Sequence, residues 1–190
     1  ESPDALWTRA MIEAAREREK PALARIAVAV DPPATSSHRA DRCGLVVAGV
    51  DHDGIGHVLE DATLAGARPQ EWAERAVALY RRHEADALVV EVNQGGEMVE
   101  SVIREVDAGV PVVSVRATRG KYLRAEPVAA LYAQGRVRHA GVFPALEDEM
   151  CAFGPRGLET GRSPDRLDAL VWALTHLMLA PKARPRVRGI

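Results

Sequence analysis

The sequence predicts a mixed α/β fold: a five-stranded sheet that opens with three antiparallel strands, continues with parallel ones, and carries helices on both faces. Three observations lead there. Apolar, β-branched runs recur at 24–31, 86–93 and 111–118, the composition of strands buried on both faces. The intervening stretches 69–85 and 95–107 switch to helical spacing, the alternation that places strands in parallel. Residues 43–66 read instead as two strands around a tight turn, so that 24–66 forms an antiparallel meander.

Residues 3–20, PDALWTRAMIEAAREREK, set Leu6, Ala10, Ile12 and Ala14 among many charges and predict a helix of modest amphipathicity closed by Pro21. This is a helical linker over residues 1–22, ahead of a domain at 23–180. ARIAVAVD (24–31) is the first strand, ending on Asp31 before Pro32 and Pro33. In CGLVVAGVDHDGIGHVLEDATLAG (43–66), Asp51-x-Asp53-Gly54 is the turn of a hairpin. A hairpin turn is favoured over a calcium loop because apolar strand follows where further ligands should stand. PQEWAERAVALYRRHEA (69–85) puts Trp72, Ala76, Leu79 and Tyr80 on one helical face. DALVVEVN (86–93) is the fourth strand, GGEMVESVIREVD (95–107) a helix and PVVSVRAT (111–118) the fifth strand. KYLRAEPVAALYAQG (121–135) reads as a helix interrupted at Pro127 and capped by Gly135. RVRHAG (136–141) adds a short extended piece, FPALEDEMCAF (143–153) a helix and GPRGLETGRS (154–163) a loop. SPDRLDALVWAL (163–174) is the last helix.

With 190 residues, 47% apolar and 27% charged, the chain has the make-up of one soluble globular domain. Two cysteines, Cys43 and Cys151, make no disulfide framework, and the six histidines show no zinc spacing. No apolar run approaches the roughly 20 residues of a membrane span, and no signal layout precedes the first helix, so a cytoplasmic protein is expected. The net charge of −2 argues against a uniformly basic nucleic-acid binder. Local basic clusters nevertheless stand at Arg116, Arg119, Lys121 and Arg124, at Arg136, Arg138 and His139, and in the tail PKARPRVRGI (181–190). They keep a phosphate-binding reading open beside that of a solvated face. A first residue of Glu1 rather than Met suggests a piece of a longer polypeptide.

The acids carry the chemistry. Asp31 ends a central strand, and Glu91 sits within the apolar fourth strand, where an unpaired carboxylate is costly unless it is paired or bound to metal. If the two strands are neighbours, their carboxylates converge at one end of the sheet. Asp165 and Asp168, three residues apart at the start of the last helix, can complete a cluster. Like charges so placed repel unless a cation joins them. Oxygen-only ligands on rigid strands favour Mg²⁺ or Mn²⁺, and two such ions about 3.5–4 Å apart suit phosphodiester cleavage. Each residue also has a structural reading: Asp31 as a strand end, Glu91 paired with a buried arginine, Asp165 as a helix N-terminal charge.

These residues resemble a family. RIAVAVDPPA, DALVVEVNQGG, the TRGKYLRAEPVAALYAQGRV segment and SPDRLDALVWAL, in that order across about residues 24–179, look like the C-terminal nuclease domain of a large terminase subunit. Such subunits drive DNA packaging in tailed phages and in phage-derived gene transfer agents, and their nuclease domain has the RNase H-like fold shared with Holliday-junction resolvases. The resemblance implies a two-metal endonuclease acting on concatemeric double-stranded DNA, with Asp31, Glu91 and one or both of Asp165 and Asp168 as catalytic metal ligands. It also implies basic positions at Arg119, Lys121 and Arg124 near DNA. The partners it implies are a packaging ATPase domain in cis, a portal and a small terminase subunit, in the cytoplasm of a bacterial host. No G-x-x-x-x-G-K-[ST] loop occurs, so that ATPase is expected to lie outside these residues, with the helix at 3–20 as its tether. Two other readings stay open: a junction-resolving nuclease of the same fold, and a non-catalytic module binding a nucleotide or a partner.

Overall fold

A computed structural model describes residues 2–17, 21–33, 42–92 and 96–180. The basic tail expected over 181–190, the end of the helix expected over 3–20, and residues 93–95 between the fourth strand and its following helix lie outside these.

The first strand, β1 (Leu23–Asp31), is buried continuously from Ala27 to Asp31, as an unbroken apolar run requires. It pairs antiparallel with β2 (Arg42–Asp51), which pairs antiparallel with β3 (Gly56–Asp61). Asp51 Oδ1 accepts from the backbone N–H of Asp53 and Ile55, both at 2.9 Å, and Gly54 takes φ +81°, so the D-H-D-G stretch is the expected turn. A two-residue strand, β4 (Leu64–Ala65), adds to β2. After α2 (Pro69–Arg82), β5 (Ala87–Glu91) pairs parallel with β1 in a register running from Ala27 with Ala87 to Val30 with Val90. Then α3 (Gly96–Val106) leads to β6 (Val112–Val115), parallel to β5.

Helix α4 (Lys121–Ala133) runs through Pro127 without breaking. That proline is exposed, and the carbonyl whose donor it removes belongs to the exposed Leu123, so water can satisfy the orphaned group. The helix ends as its glycine predicts: Gly135 adopts φ +68°, with Arg136 N donating to Leu131 O and Gly135 N to Tyr132 O, each at 2.9 Å. The short extended piece becomes a true strand, β7 (Val137–His139), parallel to β3. The sheet order is therefore β6-β5-β1-β2-β3-β7, six strands across with β4 at the side, where five were expected. The extra edge is only three residues long, too short for its own periodicity to declare it. Helix α5 (Pro144–Ala152) follows. Within the expected loop a small hairpin forms from β8 (Phe153–Gly154) and β9 (Gly157–Leu158). Helix α6 (Asp165–Leu174) passes into a π-helical turn, Thr175–Leu179.

Alternation along the central strands separates two cores. Ala27, Ala29, Val46 and Ala48 face the layer of α4, α5 and α6. Val28, Val30, Leu45 and Val47 face α2 and α3. The N-terminal helix is shorter than expected, α1 (Arg9–Ala14), and it packs into the first core. Trp7 and Ile12 are fully buried, Trp7 edge-on to Tyr132 at 6.0 Å. Backbone bonds fix the same segment: Ser2 N to Cys151 O, Leu6 N to Phe153 O and Glu17 N to His139 O.

Candidate metal centre

Parallel pairing of β1 and β5 brings their C-terminal residues side by side, so Asp31 and Glu91 lie at the same end of the sheet. Both are buried, at 7% and 5% exposure, and a carboxylate so placed is costly without compensation. On the other side of Asp31 its β2 partner is Gly44. A Cβ built there would lie 2.0 Å from the carbonyl oxygen of Asp165, so only glycine lets the first turn of α6 settle on the sheet. That contact delivers Asp168, 3% exposed, against the same strand ends, with Asp165 half-buried beside it.

The free N–H groups of α6 are served from elsewhere. The N-cap residue is Pro164, which has no side-chain acceptor, and Glu149 of α5 accepts from Arg166 N at 3.1 Å and Leu167 N at 3.3 Å. Glu149 is itself steadied by Arg42 at 3.1 Å, and Arg166 is anchored on Asp61 at 2.9 Å. A remote glutamate thus does the capping that local sequence assigns to Asp165. No sequence signal marks Glu149 for this role, because a cap contributed from another helix has no fixed spacing.

Two cations enter the acidic cluster from α4. Lys121 Nζ contacts Asp168 Oδ2 and donates to Ser163 Oγ at 2.8 Å. Arg124 reaches Glu91 Oε2 at 3.4 Å and Asp168 Oδ1 at 3.7 Å, and its guanidinium lies 4.7 Å from the ring centroid of Trp172. Trp172, one turn along α6 from Asp168, donates its indole N–H to Glu91 Oε2 at 2.6 Å. Arg124 is nine-tenths buried and its Nε lacks a partner, so it faces the carboxylates rather than solvent. Arg119 is exposed in the turn between β6 and α4. The second basic cluster is not part of this assembly: His139 is fully buried, and Arg136 donates to Gly54 O at the β2–β3 turn.

Burial raises the Asp31 carboxyl well above its usual range, and the nearby Asp168, Glu91 and Asp165 push it the same way against the pull of Lys121. Asp168 is also raised, chiefly by burial, with Lys121 opposing. Burial alone would lower Lys121, but the Asp168 carboxylate outweighs it and the ammonium holds its proton more tightly than usual. Asp165 lies 3.9 Å from Arg42, which Glu149 shares, so four carboxyl groups meet three cations and carboxyl oxygens remain in surplus in a buried place. Hard oxygen donors in surplus are the chemistry that suits a divalent ion such as Mg²⁺. Among the described residues no three His, Cys, Asp or Glu side chains are already grouped as ligands of one ion. Lys121 and Arg124 stand between the carboxylates instead. The donors fit a metal in kind, and Lys121 occupies one oxygen of Asp168.

Residues 28–177 match the family described as terminase RNaseH-like domain. No curated protein sequence matches. Among solved structures, the large terminase nuclease from thermophilic phage G20c superposes with a TM-score of 0.66 at 14% identity, covering 90% of this chain and 98% of that one. The nuclease domain of the large terminase subunit gp2 of bacterial virus Sf6 gives 0.66 at 15% identity, covering 94% and 100%. The large terminase of bacteriophage HK97 gives 0.62 at 16% identity, with 90% of this chain covered but 43% of that one. At these identities the likeness shows the fold: the mixed sheet and its flanking helices are those of terminase nuclease domains. The G20c nuclease has also been solved with bound zinc.

Proposed function

The chain belongs to the terminase RNaseH-like family, and on that footing we propose that it is the DNA-cutting domain of a packaging motor, a metal-dependent endonuclease acting on concatemeric double-stranded DNA of a tailed phage or gene transfer agent. The observation that carries this is the convergence of Asp31, Glu91 and Asp168 at one end of the central strands, under the first turn of α6. Asp31, Glu91, Asp168 and the adjacent Asp165 would hold two ions, Mg²⁺ or Mn²⁺. Bound there, the ions supply Lewis-acid activation of the attacking water and charge stabilisation at the leaving oxygen. Binding of zinc by a nuclease of the same fold supports divalent-metal use in kind.

The chain's own residues orient this chemistry. Trp172 fixes one oxygen of Glu91. Arg124 stacks on Trp172 and spans Glu91 and Asp168, placing a buried counter-charge between the two carboxyl groups. Lys121, held between Ser163 and Asp168, is placed to turn toward a phosphate once a metal takes its carboxylate. Arg119, exposed beside it, extends the same positive edge toward DNA.

Because the chain spans 43% of the HK97 large terminase, a packaging ATPase in cis, a portal and a small terminase subunit as partners, and the host cytoplasm as location, belong to the same proposal. Among the described residues no helix is long and apolar enough to cross a membrane. The deciding experiment incubates the purified protein with supercoiled plasmid and Mn²⁺ or Mg²⁺. Nicked and linear products are expected, abolished by chelation and by Asp31→Asn or Glu91→Gln. Cleavage that survives both substitutions overturns the proposal.

A further inference from the structure

Beside the acidic cluster lies a cleft of about 450 Å³ whose charged lining is of one sign. Lys121, Arg156 and Arg162 line it, and no Asp or Glu does. Its walls are the start of α4, the β8–β9 hairpin and the irregular approach to α6 that ends at Ser163 and Pro164. Lys121 belongs to both places, because the ammonium that contacts Asp168 also bonds Ser163 Oγ on the cleft wall. A site that repels anions and a site that attracts them therefore share one side chain.

The arginines of the cleft differ from several others among the described residues. Arg16, Arg42, Arg124 and Arg166 are all engaged by carboxylates. Arg156 and Arg162 are exposed, and neither side chain has an ion-pair or hydrogen-bond partner among the described residues. The hairpin also keeps its backbone bare. Gly157 and Gly161 take positive φ, +83° and +68°, and an added Cβ at either, or at Gly120 across the cleft, meets nothing within 4 Å. Open floor and unpaired guanidinium groups are what a deoxyribose-phosphate chain needs in order to lie against a protein surface.

We propose that this cleft is a second phosphate subsite, in which Arg156 and Arg162 hold a backbone phosphate of duplex DNA next to the one presented to the acidic cluster. The inference rests on the reading of the chain as a DNA nuclease and adds to it the place where the substrate strand is gripped. Two guanidinium groups on a phosphate set the position of the strand without reading its bases, so the subsite confers register and not sequence preference. Arg156 and Arg162 are positioning residues: they act on the strand that the acids cut.

The test measures binding apart from cutting. A fluorescently labelled short duplex is titrated with the protein in EDTA over a series of salt concentrations, and anisotropy gives the affinity and its salt slope. Removing both guanidinium groups in the Arg156→Ala, Arg162→Ala double variant should weaken binding on the order of tenfold at low salt and reduce the slope of log K against log salt by about 1 to 2. The Arg156→Lys, Arg162→Lys variant should restore most of the slope, and Arg75→Ala, at an exposed arginine of α2 with no ion pair among the described residues, should leave it unchanged. A double-alanine variant with wild-type slope overturns the subsite and leaves the nuclease reading intact. An equal loss in Arg75→Ala overturns it as well, since the effect would then be overall charge. A wild-type protein that neither binds duplex nor nicks plasmid overturns the nuclease reading itself, and the subsite with it.

Discussion

Gly44 on β2 lies so close to the carbonyl of Asp165 that a single added methyl group would stand 2.0 Å from the oxygen and 3.2 Å from the Cβ of Ala169. This contact sets the height of α6 above the sheet, and with it the position of Asp168 relative to Asp31 and Glu91. Both clashing partners at Asp165 are backbone atoms, so no rotamer change relieves them. Gly44→Ala is therefore expected to cost about 1–3 kcal/mol by overpacking and to shift the helix start, reducing cleavage by more than an order of magnitude. A melting curve and the plasmid assay on the same preparation check the two effects. Full activity would show that α6 does not set the site.

Asp31→Asn should separate stability from activity. Its folded pKa is raised above the ordinary carboxylate value, so the folded state binds the proton more readily than the unfolded chain. By linkage, the ionised form destabilises the fold as pH rises through that window and has no such effect below the unfolded value. The variant, which carries no charge there, is expected to melt higher than wild type at pH 7 in EDTA, by a few degrees, while its cleavage is lost. The difference should shrink as pH falls toward 4. A variant that melts lower at pH 7 would mean that Asp31 is stabilised by interactions stronger than the repulsion.

Local patterning made much of this legible. An apolar run that stops on an acid, a second acid inside another apolar run, and two aspartates three apart at a helix start are all visible as departures from the periodic rule, and they converge in space. The strand order made this possible, since β5 returns parallel to β1 and puts Glu91 beside Asp31. What sequence could not supply were the contacts with no fixed spacing: Gly44 as the seat of α6, Glu149 as its remote cap and Trp172 as the clamp on Glu91. Helix length at the N-terminus also escaped it. Charged residues at helical spacing suggest a continuous helix over 3–20, whereas the burial of Trp7 and the backbone bonds to α5 and β7 fold most of that stretch onto the core as α1 and flanking irregular chain.

The N-terminal segment is held by one ion pair of special weight. Arg16 donates two bonds to Glu147, at 2.6 and 2.7 Å, and Glu147 is 2% exposed. Burial alone would raise Glu147, but Arg16 and the Phe143 N–H outweigh it and hold it at about 2. His139, against the same carboxylate at 3.4 Å, is kept down at about 4 by burial and so stays neutral above that pH. It cannot replace the missing charge. Arg16→Gln is expected to cost on the order of 1–3 kcal/mol at pH 7, because Glu147 then keeps only the more distant Arg9, at 3.7 Å, and the Phe143 N–H, at 2.9 Å, among the described residues. In wild type the contribution of Glu147 is complete above the unfolded value of 4.5 and lost as pH falls toward 2. In the variant the under-compensated carboxylate is relieved by protonation instead. The gap between the two proteins in urea denaturation should therefore close on acidification, and a gap independent of pH would contradict the charge argument.

On the proposed metal-dependent reading, Lys121 and a divalent ion compete for Asp168. The ammonium contacts Asp168 and is held there strongly enough that its proton affinity is raised, yet its side chain remains 41% exposed and free to swing toward solvent. Lys121→Met keeps the length of the stem and deletes the charge. Without metal the variant leaves Asp168 with only the more distant Arg124, at 3.7 Å, so it should melt lower than wild type. With metal the order changes, because an ion no longer has to displace a resident cation. Calorimetric titration with Mn²⁺ is expected to show tighter binding, on the order of tenfold, the scale on which one neighbouring charge alters a carboxylate. The rise in melting temperature at saturating Mn²⁺ should be correspondingly larger than in wild type. Cleavage should nevertheless fall, since the same ammonium is placed to turn toward the phosphate. Metal affinity that rises while activity drops separates a competing and DNA-facing lysine from a merely structural one. Weaker Mn²⁺ binding in the variant would mean that Lys121 orders the carboxylates for metal instead of occupying their place.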